Sequence, residues 1–424
     1  MNELYDKIRP NLRPVLIIPY KTPINKPFLK EGGLSNNTLS WFGDKSCLVD
    51  GPFSRIEWEE PNLKSDKQLK ELLFELGWKP DEWNYKKDGK LVVKGEDGKP
   101  IKTSPKLTES SYDSLSIGIG PDIALYLKVS TRLSQLEGLI SNIRDDGRIT
   151  AQANPLGTPT GRFRHSVVVN IPKANHTKDE SLLWYPEGKV FFGTEIRSLF
   201  IAKPGYKLVG HDASQLELRM FGHFLGDPDL IYEIEEGDFH DVFWEPLKDF
   251  VDTRDNAKTT EYAYLFGAQD YKLGNTVSTI PKGWSPEKTG KEVRRIIHHT
   301  FPSMRELDEK VKRASKRGYL IGLDGRKLWV RKQHAALNTL CQGNGAIVMK
   351  TSMCFLYDWI KRFYIDAKKV GDFHDEGQHE VIENQAELLG NLAVKSIVKA
   401  GEYYELKCKL SGEYKIGNSW AETH

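Results

Sequence analysis

A short stretch near the end of the chain, residues 370–382, is the feature that most restricts the fold. Apolar or aromatic residues lie on both sides of two adjacent acids, Asp375 and Glu376. This pattern predicts a strand, a tight turn and a second strand, with the acids at the turn. Adjacent like charges repel there unless a cation neutralises them. The segment therefore predicts either a pair of solvated turn acids or one edge of a metal site.

A second acidic site follows the apolar residues 206–210, which predict a short buried strand. Helical periodicity begins at Ser214, so Asp212 lies where a strand gives way to a helix. Such a position exposes the carboxylate at the edge of a sheet, and Glu217 comes one helical turn later. By itself the pattern is also typical of a helix-capping aspartate and a solvated glutamate.

Residues 253–266 predict a helix with one side suited to a nucleotide. Residues at intervals of four lie along one gently drifting face of a helix, and here they are Arg254, Lys258, Tyr262 and Phe266. Cations near a helix N-terminus suit a polyphosphate, because the helix dipole and the free N–H groups also favour anions. The aromatic rings then offer a flat surface to a base or a sugar. An ordinary amphipathic helix with solvated cations is the alternative.

Two separated acidic sites and a phosphate-binding helix are the parts that two-metal nucleotidyl transfer requires. In that chemistry two Mg²⁺ ions, about 3.5–4 Å apart, activate a primer 3′-hydroxyl and stabilise the triphosphate. Carboxylates from distant strands have to converge to hold both ions. The predicted pair is Asp212 and Asp375.

These segments resemble the motifs of family A DNA polymerases, the bacterial DNA polymerase I type. Residues 212–219 (DASQLELR) are similar to motif A, residues 254–267 (RDNAKTTEYAYLFG) to motif B and residues 374–376 (HDE) to the core of motif C. Further matches are Thr160-Gly161-Arg162, Asp324-Gly325-Arg326 and the segment 335–342 (AALNTLCQ). The resemblance begins near residue 52, extends to the end of the chain, and is closest to the replicative polymerases of short-tailed bacteriophages.

The resemblance implies an α/β protein with the right-hand polymerase fold, in which an antiparallel palm sheet lies between a thumb and helical fingers. It also implies a division of the chain. The expected parts are an irregular, extended N-terminal arm (1–50), the thumb (51–150), a first palm segment (151–225), the fingers (226–330) and a second palm segment (331–424).

The resemblance assigns the chemistry to a few residues. Asp212, Asp375 and the backbone carbonyl of Ala213 would bind two Mg²⁺ ions, for which Mn²⁺ can substitute, with Glu376 as an auxiliary acid. Lys258 would donate a proton to the pyrophosphate leaving group. The implied nucleotide-binding residues are Arg254, Lys258, Tyr262, Phe266, His240, Gln215 and Glu217.

Glu217 would be the steric gate that crowds a ribose 2′-hydroxyl, and Tyr262 would stand in for a missing 3′-hydroxyl. Phe266 departs from the family, which usually has a tyrosine there. Primer–template DNA would be contacted through the minor groove or the backbone, with His374 at the primer terminus. The implied DNA-binding residues are Arg162, Asn338, Gln342, His374 and Arg326.

Composition limits the partners. Sixty-one Lys and Arg against 59 Asp and Glu give a net charge of +2, so local patches have to hold the DNA. The sequence contains no run of 18 or more apolar residues, so it predicts no membrane span. The four cysteines lack disulfide or metal-ligand spacing, which is typical of a reduced, cytoplasmic protein. For a phage gene the expected compartment is the cytoplasm of the bacterial host.

At 424 residues the chain is too short for both a polymerase and the usual 3′–5′ exonuclease. The expected partners, besides primer–template DNA and dNTPs, are a separate exonuclease subunit, a helicase or primase, or a processivity factor. Two alternatives to a DNA polymerase are open. One is an RNA polymerase-like enzyme, against which the bulky Glu217 argues. The other is a non-catalytic or partner-dependent nucleic-acid-binding scaffold, against which the intact Asp212 and Asp375 argue.

Overall fold

The fold is given by a computed structural model. It describes residues 1–12, 15–17, 28–42, 57–59, 62–80, 82–88, 91–93, 95, 100–108, 112, 114–115, 117–172, 174 and 192–423. The α-helices of these residues are α1 (Asn2–Ile8), α2 (Asn36–Phe42), α3 (Asp66–Glu75), α4 (Gly120–Ile140), α5 (Gly193–Ser198), α6 (Leu216–Leu225), α7 (Pro228–Glu235), α8 (Phe239–Trp244), α9 (Arg254–Leu265), α10 (Asp270–Gly274), α11 (Pro286–Thr300), α12 (Pro302–Ser315), α13 (Ala336–Arg362) and α14 (Ala386–Tyr403).

The strands form one four-stranded sheet and several two-stranded ribbons, all antiparallel. They are β1 (Val15–Ile17), β2 (Glu57–Glu59), β3 (Trp83–Tyr85), β4 (Lys87–Asp88), β5 (Leu91–Val92), β6 (Lys102–Pro105), β7 (Ala153–Asn154), β8 (Arg164–His165), β9 (Tyr206–Ala213), β10 (Tyr319–Ile321), β11 (Lys327–Trp329), β12 (Ala367–Phe373), β13 (Glu376–Ile382) and β14 (Gly412–Gly417).

The chain divides into two compact units. The first comprises residues 1–137 and 179–191, and the second comprises residues 138–178 and 192–424. In the first unit, α1 directs the fully buried Ile8 into a core that it shares with Leu69, Leu73 and Ile123. Residues 1–50 were expected to be irregular, and α1 and α2 show that this expectation is wrong for those helices. Leu4, Tyr5 and Ile8 of α1 pack against this core at helical spacing, but in a helix of seven residues the pattern is too short to stand out in the sequence.

The second unit is built on the four-stranded sheet, whose strands lie in the order β12, β13, β9, β14. Val209 of β9 and Val381 of β13 lie on one side of the sheet, where they pack with Leu356 of α13 and Leu389 of α14. A larger core joins α6 to the helices from α7 to α13. The described residues contain no helix long and apolar enough to cross a membrane.

Capping side chains fix where several helices begin. Asp227 caps α7, Thr253 caps α9 and Ser285 caps α11, and in each case the side-chain oxygen accepts a hydrogen bond from a backbone N–H of the first turn. The sequence-based helices at 66–77, 253–266 and 286–300 are thus confirmed to within a few residues, as is the strand, turn and strand at 370–382.

The end of α9 depends on a glycine. Gly267 has φ +74°, and a Cβ there would lie 1.9 Å from the carbonyl oxygen of His334. We expect Gly267→Ala to lower the free energy of unfolding by about 3 kcal/mol, the sum of a left-handed backbone penalty and a steric overlap. Urea unfolding followed by circular dichroism measures the change.

The matched control for this change is Gly283→Ala. Gly283 also has a positive φ, +81°, but nothing among the described residues lies within 4 Å of its added Cβ. The control therefore carries only the backbone penalty of about 1–2 kcal/mol. Equal losses in the two variants would contradict the close approach of Gly267 to His334.

Candidate active site

The hairpin of β12 and β13 brings the two predicted carboxylates to one corner of the sheet. Glu376 pairs with Asp212 in the register of β13 and β9, and Asp375 lies in the turn immediately before Glu376. The backbone N–H of Ala213 donates to the carbonyl oxygen of Asp375 over 3.3 Å. Asp212 and Asp375 are therefore neighbours at the ends of two adjacent strands.

The backbone on both sides of this corner adopts the left-handed conformation in residues other than glycine. His374, the first residue of the hairpin turn, has φ +65°, and Gln215, immediately before α6, has φ +51°. Such conformations are disfavoured for residues with a Cβ and are concentrated at functional sites. The turn thus holds His374 and Asp375 in a fixed arrangement next to Asp212.

Glu376 lies beneath the corner rather than on its surface. Its side chain is buried, and Oε1 accepts hydrogen bonds of 2.7 Å from Gln378 Nε2 and from the indole N–H of Trp420. The ring of Trp420 stacks on Phe373, at 4.5 Å between centroids. These contacts fix the hairpin to the C-terminal segment, so Glu376 positions the Asp375 turn.

The donor atoms at the corner suit a hard divalent cation. Among the described residues no group of three or more His, Cys, Asp or Glu side chains is placed to hold a metal ion. Two carboxylates with a backbone carbonyl nevertheless match Mg²⁺, which is commonly bound through one or two carboxylates together with substrate phosphates and water. The residues present therefore fit an ion that is completed by its substrate.

Glu217, in the first turn of α6, is held by residues from two other segments. Arg162 Nη2 donates to Glu217 Oε1, and the side chain of Gln342 in α13 also hydrogen-bonds the carboxylate. Burial raises the pKa of Glu217, the two hydrogen bonds oppose that shift, and the nearby Asp375 carboxylate adds to it. Two predicted DNA-binding residues, Arg162 and Gln342, thus converge on the predicted steric gate.

The loop that carries Arg162 is anchored by a lysine that the sequence did not single out. Lys350, in the middle of α13, donates from Nζ to the carbonyl oxygens of Pro155 and Gly161. Burial lowers the pKa of Lys350. Nothing in the local pattern marks this residue, because its partners lie far away in the sequence.

The other predicted DNA-binding residues lie at the edges of the same region. Arg326 is paired with Asp324 over 2.5 Å. Asn338 carries a buried Oδ1 that has no hydrogen-bond partner among the described residues. The ring of His374 lies edge-on to His165, at 6.2 Å between centroids, and burial lowers the pKa of His374.

The predicted nucleotide-binding residues Arg254, Lys258, Tyr262 and Phe266 form a stripe along helix α9, and the first of them is ion-paired. Arg254 Nη2 lies 2.5 Å from Asp238 Oδ2, and Arg254 Nε lies 3.1 Å from Asp241 Oδ1. Burial opposes ionisation of Asp238, but the hydrogen bond from Arg254 and two backbone N–H groups leave its pKa lowered. Lys258, one turn later, is exposed.

The aromatic end of the stripe lies near the acidic corner. The rings of Tyr262 and Phe266 lie 5.7 Å apart between centroids, and Phe266 is exposed. Burial raises the pKa of Tyr262 to about 12, with further contributions from the carboxylates of Glu261, Glu217 and Asp375. The hydroxyl of Tyr262 thus lies within the field of the predicted gate and of the predicted metal ligand.

His240, in α8, lies behind Tyr262, with 6.2 Å between the ring centroids. Its Nδ1 is 2.7 Å from Oε2 of Glu261, and both side chains are buried. Glu261 was not identified from the sequence, although a glutamate on the apolar face of an amphipathic helix is a detectable signal.

Comparison with known proteins gives one consistent match. The sequence model of DNA polymerase family A matches residues 49–422. The DNA-directed DNA polymerase of Escherichia phage Phieco32 is 31% identical, over 89% of this chain and 72% of that protein. The DNA-directed DNA polymerase of Enterobacteria phage T3 is 29% identical, over 93% of this chain and 58% of its own length.

A solved structure also matches the fold. The polymerase domain of Pol1 from M. smegmatis, in complex with a DNA primer-template and dNTP, has a TM-score of 0.65 and 25% identity, over 86% of this chain and 62% of that chain. The predicted α/β right-hand polymerase fold is thereby confirmed.

Proposed function

This chain belongs to DNA polymerase family A, the DNA-directed DNA polymerases, and we propose that it extends a primer 3′-hydroxyl with deoxynucleotides along a DNA template. The observation that carries the proposal is the corner where Asp212 and Asp375 become neighbours, faced by Tyr262 of α9 and by the Glu217 carboxylate. A site with two carboxylates, a gate and a phosphate-binding helix fits nucleotidyl transfer.

Asp212, Asp375 and the Ala213 carbonyl would hold two divalent ions, which we propose to be Mg²⁺, with Mn²⁺ able to substitute. When bound, the ions supply charge stabilisation and a lowered pKa for the attacking hydroxyl. The protein positions the carboxylates through the β12–β13 turn and through the hydrogen bonds that hold Glu376 to Trp420 and Gln378. Glu376, the predicted auxiliary acid, would act by holding that turn in place.

Arg254 and Lys258 would bind the triphosphate at the start of α9. In this structure Arg254 is paired with Asp238 and Asp241, so binding exchanges carboxylate partners for phosphate oxygens. Lys258 is exposed and can approach the leaving group as a proton donor. His240, Gln215 and Phe266 would complete the nucleotide site.

Primer–template DNA would lie against Arg162, Asn338, Gln342, Arg326 and His374. Arg162 and Gln342 already hydrogen-bond Glu217, which couples the DNA contacts to the sugar of the incoming nucleotide. The Oδ1 of Asn338 has no hydrogen-bond partner in the part of the chain that the structure describes, and it would accept a hydrogen bond from a base edge. The separate exonuclease, helicase or primase, and processivity factor stay predictions, as does the bacterial cytoplasm as the compartment.

Primer extension on a primed DNA template tests the proposal. With Mg²⁺, the purified chain is expected to add only the templated dNTP, and chelation of the metal is expected to stop the reaction. Equal use of rNTPs would favour an RNA polymerase-like enzyme. DNA binding in a gel-shift assay without extension under any condition would favour a non-catalytic scaffold.

The hydroxyl of Tyr262 leads to a prediction about chain terminators. We expect the wild-type protein to incorporate dideoxynucleotides readily, and we expect Tyr262→Phe to raise its preference for dNTPs over ddNTPs by about tenfold, the worth of one hydrogen bond. Because the pKa of Tyr262 is raised to about 12, the hydroxyl stays protonated and the preference should not change between about pH 7 and about pH 9. Competitive single-nucleotide incorporation measures the ratio.

The matched control is Tyr264→Phe, which removes a hydroxyl from the buried side of the same helix. Tyr264 donates to or accepts from His298 over 3.1 Å and faces the core. This change is expected to alter stability but not the ratio of ddNTP to dNTP incorporation. A wild-type protein that rejects ddNTPs strongly, with no change in Tyr262→Phe, would overturn the assignment.

A further inference from the structure

A charged side chain of α13 holds the segment that leads to the predicted steric gate. The Nζ of Lys350 donates to two backbone carbonyl oxygens, those of Pro155 and Gly161, and it lies 5.3 Å from the centre of the Phe163 ring. All three partners belong to residues 155–163, the connection between β7 and β8, which we call the β7–β8 loop. The contacts of Lys350 thus converge on a single loop.

Lys350 is bonded differently from an ordinary surface lysine. A long lysine side chain loses conformational entropy when it is held in one position, so most lysines remain solvated. Here the side chain is partly buried, and burial lowers its pKa. No carboxylate among the described residues forms an ion pair with it, and the ammonium group donates to carbonyl oxygens of the loop instead. Charge-assisted hydrogen bonds of this kind are stronger than those between neutral groups, so they can hold the loop in place.

The β7–β8 loop carries Arg162 to the gate. Arg162 directly follows Gly161, whose carbonyl oxygen accepts from Lys350, and its Nη2 donates to Oε1 of Glu217. The side chain of Gln342, about two turns before Lys350 on α13, also hydrogen-bonds the Glu217 carboxylate. One helix therefore holds the gate twice, directly through Gln342 and indirectly through Lys350 and the loop.

The same hairpin also reaches the turn that carries the predicted metal ligand Asp375. The ring of His165, in β8, stacks on the ring of Phe373 at 5.3 Å between centroids and lies edge-on to the ring of His374. His165 is held in the paired strand, whereas Arg162 lies in the loop. A displacement of the loop should therefore affect the gate more than the Asp375 turn.

We propose that Lys350 is a positioning residue for sugar selection, which fixes the β7–β8 loop so that Arg162 holds Glu217 in the path of a ribose 2′-hydroxyl. The inference rests on the proposed function and deepens it. It assigns part of the discrimination between dNTPs and rNTPs to a lysine that is bonded to the loop rather than to the gate itself.

A direct contact of Lys350 with a DNA phosphate is the competing role. The two roles differ in their dependence on salt. A lysine that neutralises a phosphate contributes about one to the slope of log affinity against log salt, and its removal reduces that slope. Removal of a lysine that only holds a loop leaves the slope as it is in the wild type.

The test compares the wild type with Lys350→Met, Lys350→Arg and Lys361→Met. Methionine keeps much of the length of the side chain without a donor, and arginine keeps donors for both carbonyl oxygens. Lys361 is the matched control, because it is exposed, lies about three turns further along the same helix and is placed over the ring of Tyr357. For each protein, kcat/KM is measured for a templated dNTP and for the corresponding rNTP with one preparation, so their ratio does not depend on the active fraction.

In Lys350→Met the ratio of kcat/KM for dNTP to kcat/KM for rNTP is expected to fall by about threefold to tenfold, the worth of one hydrogen bond. Lys350→Arg is expected to restore most of the ratio, and Lys361→Met to leave it unchanged. In a Glu217→Ala background, Lys350→Met should cause no further loss, because both changes act on the same gate. The salt dependence of primer–template affinity, measured by fluorescence anisotropy, should stay as in the wild type.

An unchanged ratio in Lys350→Met, or a further loss of the same size in the Glu217→Ala background, would overturn the inference. A salt slope reduced by about one would assign Lys350 to a DNA phosphate and would also overturn it. Lys350→Gln is measured in the same way in case Lys350→Met does not fold. An inactive wild-type chain would instead overturn the proposed function, whereas an active chain in which Glu217→Ala alters the ratio and Lys350→Met does not would overturn this inference alone.

Discussion

Asp375→Asn is expected to lower kcat for primer extension by more than about a hundredfold, because loss of groups that merely support metal ligands already costs about 10–100-fold. Asp375 lies in the turn between β12 and β13, next to Asp212, and the change removes a negative charge while keeping the shape of the side chain. The expected defect is therefore in catalysis rather than in folding. Single-turnover extension with saturating Mg²⁺ and dNTP measures it.

Two controls give this result its meaning. Glu383→Gln changes an exposed carboxylate just beyond the far end of β13 and is expected to leave extension unchanged. The affinity of Asp375→Asn for primer–template DNA, measured by fluorescence anisotropy, should stay within a few fold of the wild-type value. If Asp375→Asn retained wild-type kcat, the acidic corner would not be the catalytic centre.

The elements that carry the site could be predicted from the sequence because their signals are local. Four-residue spacing and the capping Thr253 predicted α9, and adjacent acids between apolar residues predicted the turn at Asp375. Residues 206–210 predicted the start of β9, although the strand continues to Ala213. The resemblance then supplied the family, which the comparisons confirmed.

The contacts behind the site could not be predicted, because each joins residues that are distant in the sequence. Lys350 binds carbonyl groups almost two hundred residues away, and its local pattern is that of any lysine on a long helix. Glu261 and His240 lie in separate helices, and only the packing of α8 on α9 makes them partners. Periodicity shows on which face of a helix a residue lies, but it does not show which other element packs against that face.

The same limit applies to the charges. The sequence predicted that Arg254 binds a triphosphate, and in the structure its guanidinium is paired with Asp238 and Asp241. Both acids lie in or next to α8, which the sequence did not relate to α9. The predicted nucleotide-binding residue Arg254 thus has two carboxylate partners, which only the tertiary structure reveals.

Glu217→Ala is expected to reduce discrimination against ribonucleotides by about 10–100-fold. Glu217 is mostly buried and is fixed by Arg162 and Gln342, so it cannot move aside for a 2′-hydroxyl. Forcing an extra group into a packed site costs about 1–3 kcal/mol, and the expected change in selectivity lies within the range that this cost allows. The ratio of kcat/KM for dNTP to kcat/KM for rNTP, measured for each templated base, gives the discrimination.

The matched variant Glu217→Gln separates bulk from charge. It keeps the size of the side chain but weakens the pairing with Arg162, so a steric gate predicts that discrimination is largely retained. A gate that worked through charge would fail equally in both variants. If Glu217→Ala left rNTPs excluded, another residue would crowd the 2′-hydroxyl, and the contacts of Arg162 and Gln342 with Glu217 would serve only to hold the primer–template site together.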